Sequence, residues 1–580
     1  MSNISRQIKD DVSIVICGEA GQGIQTVERL LTRVLKFAGL NVFGTKEYMS
    51  RVRGGSNSTE IRVSSNRITA YSSRIDILIP LDENAIPHLQ QQNRIGDDTL
   101  IFGDKEKINA SRDIIDVPFS KIALEVGGAI YANTIGVGMI LALLGVEVDV
   151  LTAFLGDYFG RKSQDIVDKN IAAARRGYDI GLGFSGPGKI DITIERHPEV
   201  RDEIIMSGAD IMCMGAIAGG CNFIAAYPMT PSTGIITFLA QYAEKFGIVA
   251  EQAEDEISAV NMAIGAWYAG GRAMTATAGG GFALMAEGVS LAGMIESPLV
   301  VSVGMRPAPA TGLPTRTEQG DLDHVLYSGH GEFPRIVLAP GNLEQAFQLT
   351  QKAFNLADKF QSPVIILSDQ YLVDSYYNMP APDISRCNVE QYVVKTDKDY
   401  KRYRITDSGI SPRGIPGYGD GLVNCDSDEH DEEGHITESM AVRTSMVDKR
   451  LRKFELINKE IIPPELYGGE DYETLLIAWG SNYAVVKEAL KKLKRSGISF
   501  LHFSQVYPLH PSTAGYLKKA KQTIIIENNA TSQFGQLIRR TTGIDIGHKI
   551  LKYDGLPFSV EEVAVQVDAI AHRQGEQLWI

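Results

Sequence analysis

Apolar positions along the chain fall into short runs that stop at glycines or polar turns, and several runs are followed by residues at helical spacing. Asp11–Cys17 (DVSIVIC) is a β-branched run that stops at the turn Gly18-Glu19-Ala20-Gly21-Gln22-Gly23, which opens the amphipathic segment Ile24–Phe37. A second run, Ile77–Leu81, ends at Asp82, and Ala123–Leu144 continues with helical character. Strand, glycine turn and helix in succession predict a parallel α/β domain ending near Ser185. Gly186-Pro187-Gly188 reads as a linker or turn before the charged segment Ile190–Glu203. Beyond Gly208, Pro298–Val303 and Pro363–Leu367 are buried-strand candidates, and Glu256–Ala269 has helical spacing with small residues on one side. A polar region, Ser385–Ile462, then precedes two apolar strands, Thr474–Trp479 and Thr523–Glu527, with helical Val485–Arg495 between them. The pattern predicts a multi-domain α/β chain divided at 1–186, a linker 187–207, 208–384, a connecting segment 385–465 and 466–580.

Composition narrows the class. The length of 580 residues suits three or four domains of roughly 150 residues each. With 44% hydrophobic and 22% charged residues, a disordered or fibrous chain is excluded. The formal net charge of −14 leaves no basic excess to neutralise phosphates, so nucleic acid is not expected as a partner. Cys17, Cys213, Cys221, Cys387 and Cys425 lie far apart, form no CxxC and are odd in number, which does not suit a disulfide framework. They read as scattered thiols in a reducing cytoplasm, the alternative being four that meet in space as cluster ligands. The opening MSNISRQIKDD lacks an apolar signal core. Two uncharged stretches, Val126–Val146 and Ile211–Ala243, carry five glycines and two prolines respectively. Both read as buried α/β elements, so no membrane association is expected.

Several residues could carry chemistry. The Gly18–Gly23 turn is placed to receive phosphate on backbone N–H groups, although its GxxGxG pattern lacks the ending of a P-loop and tight packing explains the glycines equally well. In Tyr48–Gly55 (YMSRVRGG), Arg51 and Arg53 share one side of an extended stretch and could bind a pyrophosphate or 3′-phosphate, or form surface ion pairs. In Tyr227-Pro228-Met229-Thr230-Pro231-Ser232-Thr233 the prolines restrict the backbone so that Thr230 holds a rigid donor position, while Ser232 or Thr233 could simply cap the next helix. Glu254, Asp255 and Glu256 precede a helix, where acids suit the macrodipole and one can be set against a cofactor nitrogen. Arg306 follows an apolar strand at its carboxyl end, where α/β sheets present ligand sites, and its guanidinium suits a bidentate grip on a carboxylate. A surface ion pair is the alternative for Arg306. The loop Thr311–Leu322 (TGLPTRTEQGDL) is too rich in turn residues and hydroxyls for a plain connector. The acidic loop Asp426–Glu433 and the basic run Lys449–Lys453 read as complementary solvated surfaces. Overlapping that loop, Glu429–His435 (EHDEEGH) lacks HExxH spacing and reads as a solvated acidic loop rather than a metal site, the third option being that it reaches the substrate mouth.

YPMTPST, DEISAVNMAIGA and R-x-x-P-x-TGLPTRTEQGDL together resemble the alpha subunit of 2-oxoacid:ferredoxin oxidoreductases, and GEAGQGIQT with YMSRVRGGSNS resembles that family's gamma domain fused ahead of alpha. KRYRITDSGISPRGIPG, EHDEEGH and MVDKRLRKF extend the resemblance over nearly the whole chain. It implies a gamma-type α/β domain on the coenzyme A side, a pyrimidine-type thiamine diphosphate domain and a C-terminal transketolase-C-like α/β domain. It implies that Glu256 contacts N1′ of the thiamine aminopyrimidine, that Thr230, Arg306 and the adjacent Tyr227 hold the 2-oxoacid, and that Gly18, Gly21, Gly23, Arg51 and Arg53 face coenzyme A. The implied reaction is decarboxylation of a 2-oxoacid to an acyl-CoA with ferredoxin as electron acceptor. The fused arrangement leans toward 2-oxoglutarate and succinyl-CoA, with pyruvate as runner-up and the reverse, carboxylating direction open.

The family commonly carries Arg-Gly-Gly-Pro-Ser-Thr-Gly, whereas here Arg306 is followed by Pro307-Ala308-Pro309-Ala310-Thr311-Gly312, which implies a stiffer loop and altered substrate preference or access. Gly419-Asp420-Gly421 has no apolar strand before it and no cysteines cluster. The resemblance implies that magnesium and a [4Fe-4S] cluster lie on a separate beta subunit, in a heterodimer or dimer of heterodimers. A different class, a regulatory protein that binds coenzyme A or a nucleotide without catalysis, is disfavoured by Glu256, Thr230 and Arg306.

Overall fold

In a computed structural model, which describes residues 5–19, 24–49, 55–108, 112–160 and 162–572, the run DVSIVIC becomes a strand, Asp11–Glu19, longer than its apolar letters. The chain divides into two compact units, Met1–Met206 with Ser375–Ala381 and Ser207–Asp374 with Pro382–Ile580.

The first unit is built on an eight-stranded sheet ordered Ile115–Asp116, Leu100–Gly103, Ile77–Pro80, Asp11–Glu19, Ser56–Ser64, Asn41–Glu47, Tyr376–Met379 and Ile204–Ser207. Its Asp11–Glu19 strand pairs parallel with Ile77–Pro80 but antiparallel with Ser56–Ser64, which is in turn antiparallel to Asn41–Glu47. The expected parallel sheet is therefore corrected to a mixed one. The antiparallel half hides in the sequence because SNSTEIRVS has no apolar run. Its Glu60 and Arg94 are both buried and joined at 2.5 and 2.8 Å, and Arg62 meets Asp11 at 2.6 Å. Charge pairing makes the burial of these polar side chains tolerable.

The stretch expected to run helical from Ala123 to Leu144 is also corrected. Helix Phe119–Val126 ends at Gly127 and Gly128, with φ of +136° and +155°, and a second helix, Ala132–Leu143, follows. That second helix packs on Gln164–Phe184 so closely that a Cβ on Gly138 would lie 2.1 Å from the Ala174 carbonyl oxygen and one on Gly177 1.9 Å from that of Ile135. The uncharged, glycine-bearing composition thus serves a close helix pair. Among the described residues no helix is long and apolar enough to cross a membrane.

The second unit holds two sheets. Six parallel strands run in the order Val249–Gln252, Phe223–Ala226, Ala273–Ala278, Leu299–Met305, Pro363–Asp369 and Ile336–Leu338, and Gln505–Tyr507 joins antiparallel at the last edge. The other sheet orders Glu465–Tyr467, Ile498–Phe503, Thr474–Trp479, Gln522–Glu527 and His548–Leu551. Leu299–Met305 and Pro363–Asp369 are buried along their whole length, the mark of strands covered on both faces. Chain order reverses direction across the first sheet between Phe223–Ala226 and Ala273–Ala278, a topological switch point where α/β sheets open a crevice at their carboxyl ends.

The reading of the acidic and basic segments as complementary solvated surfaces is corrected. Lys449, Arg450 and Lys453, on the helix Met440–Ile457, are buried. Glu429 pairs with Arg443 at 2.6 Å and with Arg450 at 2.9 Å, and the wholly enclosed His430 ring lies 3.9 Å from that of Tyr403. Of the five thiols, Cys17, Cys213 and Cys221 are buried, and burial raises each of their pKa values.

Candidate active site

Three strand ends deliver the predicted residues to one place. Tyr227 to Thr230 follow Phe223–Ala226, three glycines at 279–281 follow Ala273–Ala278, and Arg306 follows Leu299–Met305. Glu256 begins the helix Glu256–Tyr268 after the neighbouring strand Val249–Gln252. The preceding acid takes the capping role, since Asp255 accepts the Ser258 N–H at 2.8 Å. Glu256 is thereby free of it and is only 2% exposed. The Thr277 hydroxyl donates to its Oε1 at 3.4 Å, a long contact that leaves the carboxylate lone pairs to spare.

Glycines make the room. A Cβ on Gly281 would lie 2.3 Å from Glu256 Oε1 and 2.1 Å from Thr277 Oγ1, and one on Gly279 2.3 Å from Asp321 Oδ2. On the next strand, a Cβ on Gly304 would meet Ser232 Oγ at 2.7 Å. Ser232 does not cap its helix as the sequence allowed; its hydroxyl donates to the Thr277 carbonyl at 2.6 Å, tying the YPMTPST turn to the strand behind it. Arg306 Nη1 donates to the Thr230 carbonyl at 2.6 Å, so the two residues predicted to hold substrate touch directly. Tyr227 is 40% exposed at the start of the same turn. The loop after Arg306 turns back on itself, with the Leu313 N–H donating to the Pro307 carbonyl at 3.1 Å and Gly312 at φ +53°.

The electrostatics centre on two further acids. Burial pushes the Asp321 carboxyl up to about 6 although Arg306 opposes the shift, and its Oδ2 is enclosed with no hydrogen-bond partner among the described residues. Burial, and then the neighbouring Asp321, push Glu318 up to about 7. Desolvation lowers the Arg306 pKa, with Asp321 pulling it back, but an arginine stays charged. The result is a half-enclosed cation bonded to the Thr230 turn, with the enclosed Asp321 carboxyl close enough to influence its charge.

Sequence reasoning singled out neither Asp321 nor Thr277 nor the glycines. The available signal was GGG at the end of an apolar strand, where backbone must approach side chains closely. Of the residues read for coenzyme A, Gly18 lies within the strand Asp11–Glu19, opposite Asn57, and not in a turn. Gly21, Gly23, Arg51 and Arg53 lie outside the described residues. Among the described residues no cluster of three or more His, Cys, Asp or Glu side chains could hold a metal ion.

Residues 214–449 match the family "Pyruvate flavodoxin/ferredoxin oxidoreductase, thiamine diP-bdg", and residues 13–180 match "Pyruvate ferredoxin/flavodoxin oxidoreductase". The 2-oxoacid:ferredoxin oxidoreductase subunit alpha of a Sulfolobus species is 32% identical, over 96% of this chain and 97% of its own. The 2-oxoglutarate synthase subunit KorA of Archaeoglobus fulgidus is 34% identical over 58% of this chain and 89% of its own. A solved structure, the 2-oxoglutarate:ferredoxin oxidoreductase from Magnetococcus marinus with 2-oxoglutarate, coenzyme A and succinyl-CoA bound, superposes with a TM-score of 0.91 at 30% identity, covering 97% of this chain and 99% of that one. The chain belongs to the alpha subunits of the 2-oxoacid:ferredoxin oxidoreductases.

Proposed function

We propose that this chain is the alpha subunit, with a gamma domain fused ahead of it, of a 2-oxoglutarate:ferredoxin oxidoreductase that forms succinyl-CoA and carbon dioxide. The observation that carries the reading is the enclosed Glu256 carboxylate near the switch-point crevice, whose strand ends also carry an arginine bonded to the Thr230 turn. The enclosed acceptor fits the protonated N1′ of thiamine diphosphate, which when bound supplies the carbon nucleophile for the keto carbon. With that group bound, Glu256 would hold a proton at N1′ and so raise the basicity of the exocyclic nitrogen. Arg306 grips the substrate carboxylate, Thr230 faces the keto oxygen, and Tyr227 closes the outer side of the same turn. The 2-oxoglutarate preference is supported by what the Magnetococcus marinus and Archaeoglobus fulgidus relatives are named for.

In this reading Gly18, Gly21, Gly23, Arg51 and Arg53 face coenzyme A, and a beta subunit supplies magnesium, the diphosphate site and the [4Fe-4S] cluster. Gly419 and Gly421 support that division: both pack on Thr396 within the connecting segment and follow no strand. Electrons then pass to ferredoxin through the partner. The test is a panel of 2-oxoacids offered to the complex purified with its beta subunit, read as coenzyme A-dependent ferredoxin reduction. 2-Oxoglutarate should give the highest kcat/KM, and Glu256→Gln should slow C2 proton exchange of thiamine diphosphate by at least about 100-fold. A preference for pyruvate would overturn the substrate, and near-normal exchange in Glu256→Gln would overturn the role.

A further inference from the structure

Residues 311–321 form no helix or strand, yet Thr315, Thr317, Gln319 and Asp321 are all buried, alternating with less buried neighbours. Polar side chains enclosed at every second position need partners. Among the described residues, the partners of the wholly enclosed Gln319 come from the C-terminal sheet, the start of the helix Asn482–Leu493 and the turn after Gln522–Glu527. Its Nε2 donates to the Trp479 carbonyl at 3.0 Å, and its Oε1 accepts from Asn482 Nδ2 at 2.9 Å and from the Asn528 N–H at 3.1 Å. Its backbone N–H donates to the Asn528 carbonyl at 2.7 Å, and its carbonyl accepts from Asn529 Nδ2 at 3.2 Å. Two positions before it, the Thr317 N–H donates to the Gly555 carbonyl at 3.1 Å. Two positions after it, Asp321 lies against Gly279, at the turn that also makes room for Glu256.

We infer that Gln319 is a positioning residue for the substrate site: through Trp479, Asn482, Asn528 and Asn529 the C-terminal sheet clamps loop 311–321 against the Gly279 turn and sets substrate affinity from outside the site. The inference rests on the functional reading above, in which Arg306 and Thr230 hold the oxoacid. Gln319 itself touches neither. Its five bonds fix the backbone two residues from Asp321, which lies against the Gly279 turn. A shift of that backbone moves the substrate pocket without altering the groups that react.

The test uses the full chain in its purified complex. Asn482→Ala removes one clamp bond from the far side, and Gln319→Ala removes all those made by the side chain. Amide exchange at Thr317 and Gln319, whose N–H groups are bonded across the clamp, should quicken by about tenfold in Asn482→Ala and further in Gln319→Ala. Exchange in the strand Leu299–Met305 should not change. The KM for the oxoacid should rise about tenfold in Gln319→Ala, with kcat and the KM for coenzyme A within about twofold of the parent. Unaltered exchange in Asn482→Ala overturns the clamp, even where Gln319→Ala fails to assemble. Faster exchange with an unmoved oxoacid KM, or a joint loss of kcat and both KM values, overturns the positioning role. A parent complex that turns over no 2-oxoacid sinks the functional reading instead, and the exchange rates alone then decide the clamp.

Discussion

Glu296 sits with its carboxylate between Lys449 and Lys453, at 2.5 and 2.6 Å, and all three side chains are almost wholly enclosed. Burial alone would raise the Glu296 pKa, but the two lysines and Arg402 hold it well below the usual carboxylate range. In the same compact unit, Asp321 is nearly as enclosed, but no cation lies within bonding distance of it among the described residues. The first arrangement ties the connecting segment to the sheet and leaves the carboxylate nothing to bind. The second leaves an enclosed carboxyl group whose pKa burial raises, under the influence of the arginine proposed for substrate. Buried charge is tolerable when neutralised in place. Left unbalanced, it marks a position maintained for something other than stability.

The sharpest way to break the contrast is Glu296→Gln, which leaves two enclosed ammonium groups without their counter-charge. It should cost about 3–5 kcal/mol of stability, read as a lower thermal midpoint, with substrate KM unchanged in whatever remains folded. A loss of less than about 1 kcal/mol would put this cluster in the class of surface pairs. Next comes Arg306→Ala, where stability should hold and the KM for 2-oxoacid should rise about 10–100-fold. Unchanged kinetics would remove Arg306 from the site. An effect of comparable size, read on stability instead of binding, is expected from Asp321→Asn. A folded pKa of about 6 against 3.8 in the unfolded chain means that the native state keeps a proton the unfolded state has released, so the parent loses stability as pH rises between those values. The variant should match its parent near pH 4 and exceed it by about 2 kcal/mol at pH 8. A pH-independent difference would show that burial does not raise the acid's pKa.

The same contrast explains which parts of the molecule were legible in the sequence. Strands such as Leu299–Met305 and Thr474–Trp479 announced themselves because burial there is apolar, and Arg306 was found because it follows such a strand. Glu256 was found through the helix it begins. Ser56–Ser64 and the helix Met440–Ile457 were missed because their burial is electrostatic: Glu60, Arg62, Lys449 and Lys453 read as solvent-facing until their partners, distant along the chain, are known. Tyr376–Met379 was missed as a sheet partner for Asn41–Glu47 because its pairing spans more than 300 residues, from Tyr376 to Gly44. Asp321 stood inside a loop already marked as unusual, but an acid in a hydroxyl-rich loop carries no sign of being enclosed.

The short strand Gln505–Tyr507 leaves the C-terminal sheet to cover the outer edge of Ile336–Leu338 in the larger one. A chain cut at the polar segment before Thr474 would therefore bare an apolar, hydrogen-bonding strand edge as well as losing the Gln319 clamp. Such an edge recruits strands from other molecules, so the shortened protein would be sticky before it was inactive. Separating the last 120 or so residues would thus expose this edge to aggregation before activity is considered.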